Sequence, residues 1–222
     1  MSIVQGGTTT QGQPVGILML DTKFPRIIGD VGNGFTYDFP VRFYTVKGAT
    51  PSKVVIENDP KLLQPFIDGA RQLEAEGCSA ISTSCGFLVM FQKELAASVD
   101  IPVITSGLLQ VPFIAQMLGP EKKIGILTAN SNTLDERHLK VGGMNNCNIA
   151  IQGMQDFPNF YGTFVGGKTE YDINKVESEM ILAAQKLIDE NPDIGAIVCE
   201  GTNMATFTPA INRATGIPIF DI

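Results

Sequence analysis

The sequence lacks tryptophan, contains one histidine and has no excess of basic residues. Its 16 Lys and Arg against 23 Asp and Glu give a formal net charge of −7, without a block of like charge. Nucleic-acid-binding proteins usually carry a basic stripe, so this composition argues against such a partner. A single histidine, His138, and the absence of a CxxC pair argue against a zinc site. We therefore expect no nucleic-acid partner, no metal and no metal cofactor.

Long apolar segments are missing as well. No apolar run approaches the roughly 20 residues that a membrane-spanning helix needs. The first residues, MSIVQGGTTTQGQP, do not show the basic start and apolar centre of a signal peptide. We therefore expect a cytoplasmic protein without a membrane partner. Its four cysteines, Cys78, Cys85, Cys147 and Cys199, are then expected to be reduced thiols.

Short apolar runs alternate with helical patterns, which is typical of an α/β protein with mostly parallel sheets. The predicted strands are Val15–Leu20, Ala80–Thr83, Val103–Thr105, Lys123–Thr128, Ile149–Gln152, Ala196–Cys199 and Ile217–Phe220. The predicted helices are Pro60–Glu76, Phe87–Ser98, Gln110–Leu118, Thr133–Val141, Ile173–Glu190 and Met204–Ala214. The segment Asp21–Val54, rich in Gly, Pro and aromatic residues, is predicted to be a long functional loop rather than a core element.

The chain contains an internal repeat. AISTSCGFLVMFQKELAASVDIPVIT from Ala80 aligns without gaps to AIVCEGTNMATFTPAINRATGIPIFD from Ala196, and VGILML from Val15 matches IGILTA from Ile124. The repeat predicts two pseudo-symmetric Rossmann-like halves that meet near Gly119–Pro120, with the active site in the cleft between them. We take residues 1–106 as the first half and 107–222 as the second. The end of the chain is a candidate to return and pack with the first half. The same symmetry predicts a helix after Asp221–Ile222.

Cys85 is the strongest catalytic candidate in the sequence. It stands in STSCGFL, between a predicted strand and a predicted helix, where ligands bind in open α/β sheets. A thiol at a helix N-terminus is expected to have a lowered pKa, and Gly86 allows the tight turn that brings N–H groups to a carboxylate. The alternative is a small buried hydrophobic residue. Position 201 aligns with Cys85, whereas Cys199 aligns two residues earlier, about 6–7 Å back along the strand, and is expected to be buried.

The motifs TSCGFL and CEGTNM, together with GILMLDTKFPRIIGDVGN and IGILTANSNTL, resemble the aspartate/glutamate/hydantoin racemase superfamily over nearly the whole chain. The resemblance implies an enzyme without a cofactor in which two cysteines face each other across a cleft. One removes the proton next to a carboxylate and the other returns a proton. It also implies a small carboxylate substrate and a homo-oligomer. With Cys85 as the first thiol, the substrate-binding positions would be Asp21, Thr22, Ser84, Gly86, Phe87, Thr128, Asn130, Thr202 and Asn203.

The sequence departs from this pattern at the second thiol, where Gly201 stands. Three explanations are open. The glycine is an engineered replacement, or the protein naturally uses a one-thiol reaction, or Glu200 or a water molecule supplies the second proton. Glu200 is the least favoured, because it follows a strand residue and is expected on the opposite face. The predicted function is a cofactor-independent amino-acid racemase, an isomerase. The alternatives are a lyase or decarboxylase, since DTKFPRIIGDVGN resembles dimethylsulfoniopropionate lyases, and a non-catalytic carboxylate-binding form.

Other motifs receive plainer interpretations. GTFVGGKT, residues 162–169, matches the P-loop pattern, but no apolar strand leads into it, so we predict a mobile glycine-rich loop with Thr169 capping the next helix. His138 is predicted to lie on the surface. Arg26, Tyr37 and Arg42 are candidates to contact the far end of the substrate.

Overall fold

The computed structural model describes residues 3–4 and 6–222, and two four-stranded parallel sheets organise them. The first sheet has the order β2-β1-β3-β4 and the second the order β6-β5-β7-β8. The strands are β1 Val15–Leu20, β2 Val41–Val46, β3 Ala80–Thr83, β4 Val103–Ile104, β5 Lys123–Thr128, β6 Ile149–Gly153, β7 Ile194–Cys199 and β8 Ile219–Phe220. The two orders correspond strand for strand, so the α/β fold with two pseudo-symmetric halves is confirmed.

Helices cover the faces of both sheets, as parallel sheets require. The α-helices are α1 Leu63–Ala75, α2 Gln92–Ala96, α3 Val111–Met117, α4 Glu136–Val141, α5 Pro158–Phe164, α6 Ile173–Glu190 and α7 Thr208–Thr215. 3₁₀-helices cover Gly34–Thr36, Pro60–Leu62, Gly86–Phe91, Gly107–Gln110 and Ala205–Phe207, and a π-helix covers Ser52–Ile56. None of the helices in the described part of the chain combines the length and apolar character needed to span a membrane.

The segment predicted as a loop contains a strand, which corrects that prediction. β2 pairs in parallel with β1 along its whole length, from Val15 opposite Val41 to Leu20 opposite Val46. β2 is an edge strand, and of its residues Val46 alone is buried. Because its aromatic residues are only partly covered, the strand lacks the continuous apolar run that identified its neighbours.

Three local predictions in the second half are wrong. Residues 158–164 form α5, with Pro158 in its first turn, so the GTFVGGKT segment begins inside a helix. The helix after it begins at Ile173, and Asp172 caps it rather than Thr169. His138 is fully buried instead of exposed, with its ring packed edge-on against Phe87 at 5.2 Å.

Two glycines allow close backbone contacts near the cleft. A Cβ on Gly86 would lie 2.1 Å from the backbone oxygen of Glu200 in the other half, and one on Gly107, the first residue of the second half, would lie 2.6 Å from that of Cys199. Such distances do not occur between real atoms, so both positions require glycine. The segment Gly107–Met117 leads from β4 and packs on β5 and β7 of the second sheet. The chain end joins the second sheet as β8, and Gln110 Nε2 donates a hydrogen bond to the Asp221 carbonyl at 2.8 Å.

Candidate active site

The ends of β3 and β7 meet at one cleft between the halves. β3 ends at Thr83 and β7 at Cys199, so Cys85 and Gly201 each stand two residues beyond a strand end. The cleft spans about 410 Å³, open solvent at its mouth included. It is lined by Leu20, Thr22, Phe24, Arg26, Pro51, Val55, Ser84, Cys85, Ala129, Phe164, Val165, Glu200, Gly201, Thr202 and Asn203. This is the position at which open α/β sheets bind ligands.

Cys85 is held by an extended backbone at the start of a helix. Its φ is −155° and the 3₁₀-helix begins at Gly86. The Thr83 hydroxyl donates hydrogen bonds to the carbonyls of Thr105 at 2.8 Å and Cys85 at 3.1 Å, which fixes the loop. These bonds hold the 9 % exposed thiol at the cleft.

The pKa of the Cys85 thiol is raised, contrary to the expectation from the helix N-terminus. Burial is the largest cause, and the negative charge of Glu200 adds to it. The backbone amide of Phe87 and the Arg26 guanidinium lower the pKa but do not offset these effects. The thiol is therefore protonated near neutral pH, and it needs a proton acceptor before it can act as a base.

Glu200 is the main residue that the sequence prediction misplaced. It lines the cleft and is 1 % exposed. Its Oε2 accepts hydrogen bonds from the Thr128 hydroxyl at 3.0 Å and the Ala129 amide at 3.1 Å. Burial raises its pKa to about 7, although those two groups and the amides of Phe87 and Gly86 lower it. One signal could have found it, because the gapless repeat aligns Glu200 with Ser84, which was already a candidate.

The loop after β7 offers backbone donors to the cleft. The N–H groups of Gly201, Thr202 and Asn203 have no hydrogen-bond acceptor among the described residues. The Thr202 hydroxyl donates to the Ser84 carbonyl at 2.8 Å and so ties this loop to the loop that carries Cys85. An unpaired run of amides at a cleft can bind an anion such as a carboxylate.

A cation and two aromatic rings form another wall of the cleft. Arg26 donates to the Asp30 carboxylate at 2.6 Å and to the Thr22 hydroxyl at 2.9 Å, and its guanidinium lies 4.5 Å from the centre of the Phe24 ring. Phe24 meets Phe164 edge to face with centroids 5.0 Å apart. Arg26 is the only cation among the described residues that line the cleft. Its hydrogen bonds leave N–H groups to spare, since a guanidinium has five.

The structure brings some predicted site residues to the cleft and leaves others behind it. Six line it: Cys85, Gly201, Thr22, Ser84, Thr202 and Asn203. Five do not: Asp21, Gly86, Phe87, Thr128 and Asn130. Of the three candidates for the far end of the substrate, Arg26 alone lines the cleft, whereas Tyr37 bonds to the Val31 carbonyl and Arg42 pairs with Glu76.

The residues behind the cleft have other partners. Asp21 accepts a hydrogen bond from the Gly48 amide at 3.1 Å, and Asn130 donates to the Tyr161 hydroxyl at 2.9 Å. Cys199 is fully buried, as predicted, and does not line the cleft. No group of three or more His, Cys, Asp or Glu among residues 3–4 and 6–222 is arranged to hold a metal ion.

Solved structures with the same fold define the class. The chain matches the Gly74Cys mutant of arylmalonate decarboxylase with a TM-score of 0.61 at 14% identity, over 93% of this chain and 87% of the other. It matches the allantoin racemase of Klebsiella pneumoniae with a TM-score of 0.59 at 14% identity, over 94% and 82%. The chain therefore has the fold of the racemases and decarboxylases of this superfamily. It matches no protein-family model.

Sequence relatives identify the family within that fold. The chain is 32% identical to the dimethylsulfoniopropionate lyase of Durusdinium sp. clade D, over 93% of this chain and 70% of that protein. It is 29% identical to dimethylsulfoniopropionate lyase 7 of Emiliania huxleyi, over 93% and 63%. The chain thus belongs to the dimethylsulfoniopropionate lyase family. It spans 70%, 63% and 56% of the lengths of three of these relatives.

This membership corrects the predicted reaction. The racemase prediction, and with it the isomerase class, is wrong, because the curated relatives are lyases. The lyase alternative drawn from DTKFPRIIGDVGN is favoured instead. The resemblance to the racemase superfamily holds at the level of the fold.

Proposed function

We propose that this protein is a lyase that removes dimethyl sulfide from dimethylsulfoniopropionate and leaves acrylate. The observation that carries the proposal is a cleft with a single thiol, Cys85, opposite Gly201, in a chain that belongs to the lyase family. Racemisation by paired thiols needs a second acid to return a proton, and Gly201 cannot provide one. Elimination needs only one base, because the carbanion is consumed when the leaving group departs.

Cys85 is the base in this proposal. The thiolate takes the proton from the carbon next to the carboxylate, the electron pair of that C–H bond becomes the C=C bond, and the C–S bond breaks. The sulfur keeps the electrons of the C–S bond and leaves as neutral dimethyl sulfide, so no acid is needed for the leaving group. Negative charge grows on the carboxylate as the C–H bond breaks, and donors that face this charge lower the barrier.

The residues that line the cleft offer groups of suitable charge to both charged ends of the substrate. The unpaired amides of residues 201–203 and the Arg26 guanidinium suit the carboxylate. The Phe164 ring suits the sulfonium group, because a cation is attracted to an aromatic face by about 0.5–2 kcal/mol. The neighbouring Phe24 ring already faces the Arg26 guanidinium at 4.5 Å.

The test is release of dimethyl sulfide by the purified protein and by Cys85→Ser. We expect acrylate and dimethyl sulfide in equal amounts from the wild type, and a rate about 10³-fold lower in Cys85→Ser, since general bases contribute 10²–10⁴-fold. Gas chromatography measures the sulfide and NMR the acrylate. Cys147→Ser is the matched control, because Cys147 is partly exposed and outside the cleft, and it should retain wild-type activity. A wild-type protein that releases no dimethyl sulfide contradicts the proposal.

A further inference from the structure

Glu200 has an unusual environment for a buried carboxylate. It is the only carboxylate among the described residues that line the cleft. Its Oε2 has two donors, but Oε1 is buried without a hydrogen-bond partner of good geometry. Oε1 lies beside Gly86, the residue that follows Cys85. A Cβ on Gly86 would be 2.5 Å from this oxygen. Buried carboxylate oxygens are normally paired, so an unpaired one beside the residue that follows the reacting thiol calls for a chemical explanation.

A second buried carboxylate shows what a purely structural role looks like. Glu179 is 8 % exposed and receives hydrogen bonds on both oxygens. Its Oε1 accepts from the amide and side chain of Asn159, and its Oε2 accepts from the Phe160 amide at 2.7 Å. Glu179 therefore completes the N-terminus of α5, whereas Oε1 of Glu200 has near it, among the described residues, only the poorly aligned amides of Gly86 and Phe87.

We propose that Glu200 accepts the proton of the Cys85 thiol and thereby generates the thiolate that acts on the substrate. The inference rests on the proposed lyase function and adds a second acid–base group to it. Glu200 performs this role from the position directly before Gly201, so the second half supplies a carboxylate one residue before the place where the superfamily pattern has a thiol.

The proposed steps balance in atoms and charge. The S–H bond of Cys85 breaks and its proton bonds to the Glu200 carboxylate, which gives a thiolate and a neutral carboxylic acid. The thiolate then forms a new S–H bond with the substrate proton as dimethyl sulfide departs. Glu200 releases its proton to water after the products leave. The zwitterionic substrate thus yields acrylate, dimethyl sulfide and one proton.

The pKa of Cys85 is raised above that of Glu200, so the thiolate forms as a minor species that the substrate proton consumes. Burial raises the pKa of Glu200 to about 7 and raises that of Cys85 as well, so both protonation states of Glu200 are populated near neutral pH. The other titratable groups nearby are Arg26 at the cleft and, behind Glu200, the buried Cys199 with Asp221. A base that is ionised only above about pH 7 gives a rate that rises with pH through that value.

The test compares Glu200→Gln with the wild type by two measurements. The first is dimethyl sulfide release between pH 5.5 and 9. The second is alkylation of Cys85 by iodoacetamide at pH 8.5, read by mass spectrometry of the Cys85 peptide. We expect dimethyl sulfide release to fall about 100-fold or more and to lose its rise near pH 7. We expect alkylation to become faster, because the variant lacks the negative charge that raises the pKa of the thiol.

The two measurements separate the proposed role from its competitors. If Glu200 only supports the fold, dimethyl sulfide release falls and alkylation rises through exposure of the buried thiol, but the activity that remains keeps the wild-type rise near pH 7. If it only suppresses the thiolate, both rates rise. Either result overturns the inference, as does unchanged dimethyl sulfide release.

Two controls complete the design. Glu179→Gln also removes a buried carboxylate but lies outside the cleft, and it should keep the pH dependence of the wild type while lowering thermal stability. The wild-type assay separates the two proposals. An inactive wild type refutes the lyase function, whereas an active wild type with an equally active Glu200→Gln refutes only the role of Glu200.

Discussion

The loop after β3 and the loop after β7 follow one backbone plan and differ in their side chains. Ser84 and Glu200 occupy aligned positions, and the amide of each donates to an aligned carbonyl, that of Leu18 or Leu127. The side chains also accept from aligned amides, Ser84 from Leu20 at 2.8 Å and Glu200 from Ala129 at 3.1 Å. The next residue is a thiol in the first loop and glycine in the second. The shared part is the scaffold, and the chemistry lies in the side chains that differ.

Under the proposed lyase function, this difference lets a symmetric fold serve a reaction that is not symmetric. Proton removal and proton return from opposite faces call for two equivalent groups, and a duplicated loop is suited to supply them. An elimination removes one proton and returns none to carbon. A lyase therefore needs no thiol in the second loop, where Gly201 leaves open space and Glu200 supplies a carboxylate one residue earlier.

The largest expected effect comes from exchanging the glycines of the two loops for alanine. A Cβ on Gly86 would meet the Glu200 carbonyl at 2.1 Å, whereas one on Gly201 would meet the movable Asn203 side chain at 3.0 Å. We expect Gly86→Ala to lower the free energy of unfolding by at least about 3 kcal/mol, and Gly201→Ala by less than about 1 kcal/mol. Urea unfolding measures both. Equal effects would mean that the halves are not in tight contact at Gly86.

The second effect concerns the pH dependence of stability, to which Glu200 contributes and Ser84 does not. The pKa of Glu200 is raised from 4.5 to about 7 in the fold, so the native state holds its proton more tightly than the unfolded state. Its contribution to stability is therefore present at low pH and is lost as pH rises from about 4.5 to 7. We expect the wild type to lose about 2–3 kcal/mol relative to Glu200→Gln between pH 5 and pH 8.

Urea unfolding of both proteins at the two pH values measures this difference. The comparison with Glu200→Gln cancels the contribution of the other titratable groups. Parallel pH curves for the two proteins would show that Glu200 titrates normally in the fold.

The smallest effect tests the hydrogen bond that joins the loops. The Thr202 hydroxyl is 1 % exposed and donates to the Ser84 carbonyl at 2.8 Å. Thr202→Val keeps the shape but removes the donor, so we expect a loss of about 1 kcal/mol in the free energy of unfolding. Thermal melting measures it, with Thr208→Val as the control for loss of a threonine hydroxyl outside the cleft. A Thr202→Val protein as stable as the wild type would indicate that this bond does not hold the loops together.

The sequence predicted the elements whose signals are local. β1, β3, β5 and α6 begin and end where their apolar patterns do, because these elements are buried by their own continuous or amphipathic runs. The gapless repeat also placed Cys85 and Gly201 at corresponding strand ends. The thiol position followed from the same local pattern of strand, loop and helix.

The features that the sequence did not predict depend on distant contacts. His138 looks like a surface residue in its helix, but the ring of Phe87 from the other half covers it. GTFVGGKT was predicted to be a loop because no apolar strand leads into it. It begins inside α5, whose first amides are capped by Glu179 from α6. Glu200 was expected on the opposite face because strand alternation was extended one residue too far. Its orientation is set by Thr128 and Ala129 on the adjacent strand.

The close approach of Gly86 to Glu200 also has a consequence for how the chain could be divided. The segment Gly107–Met117 packs on the second sheet, and the residues 119–122 that follow it are exposed. Fragments cut there would separate Cys85 from Glu200, yet the first fragment would carry the segment that docks on the second. Turnover by a mixture of the two fragments would then report their reassociation, as in a split-enzyme sensor.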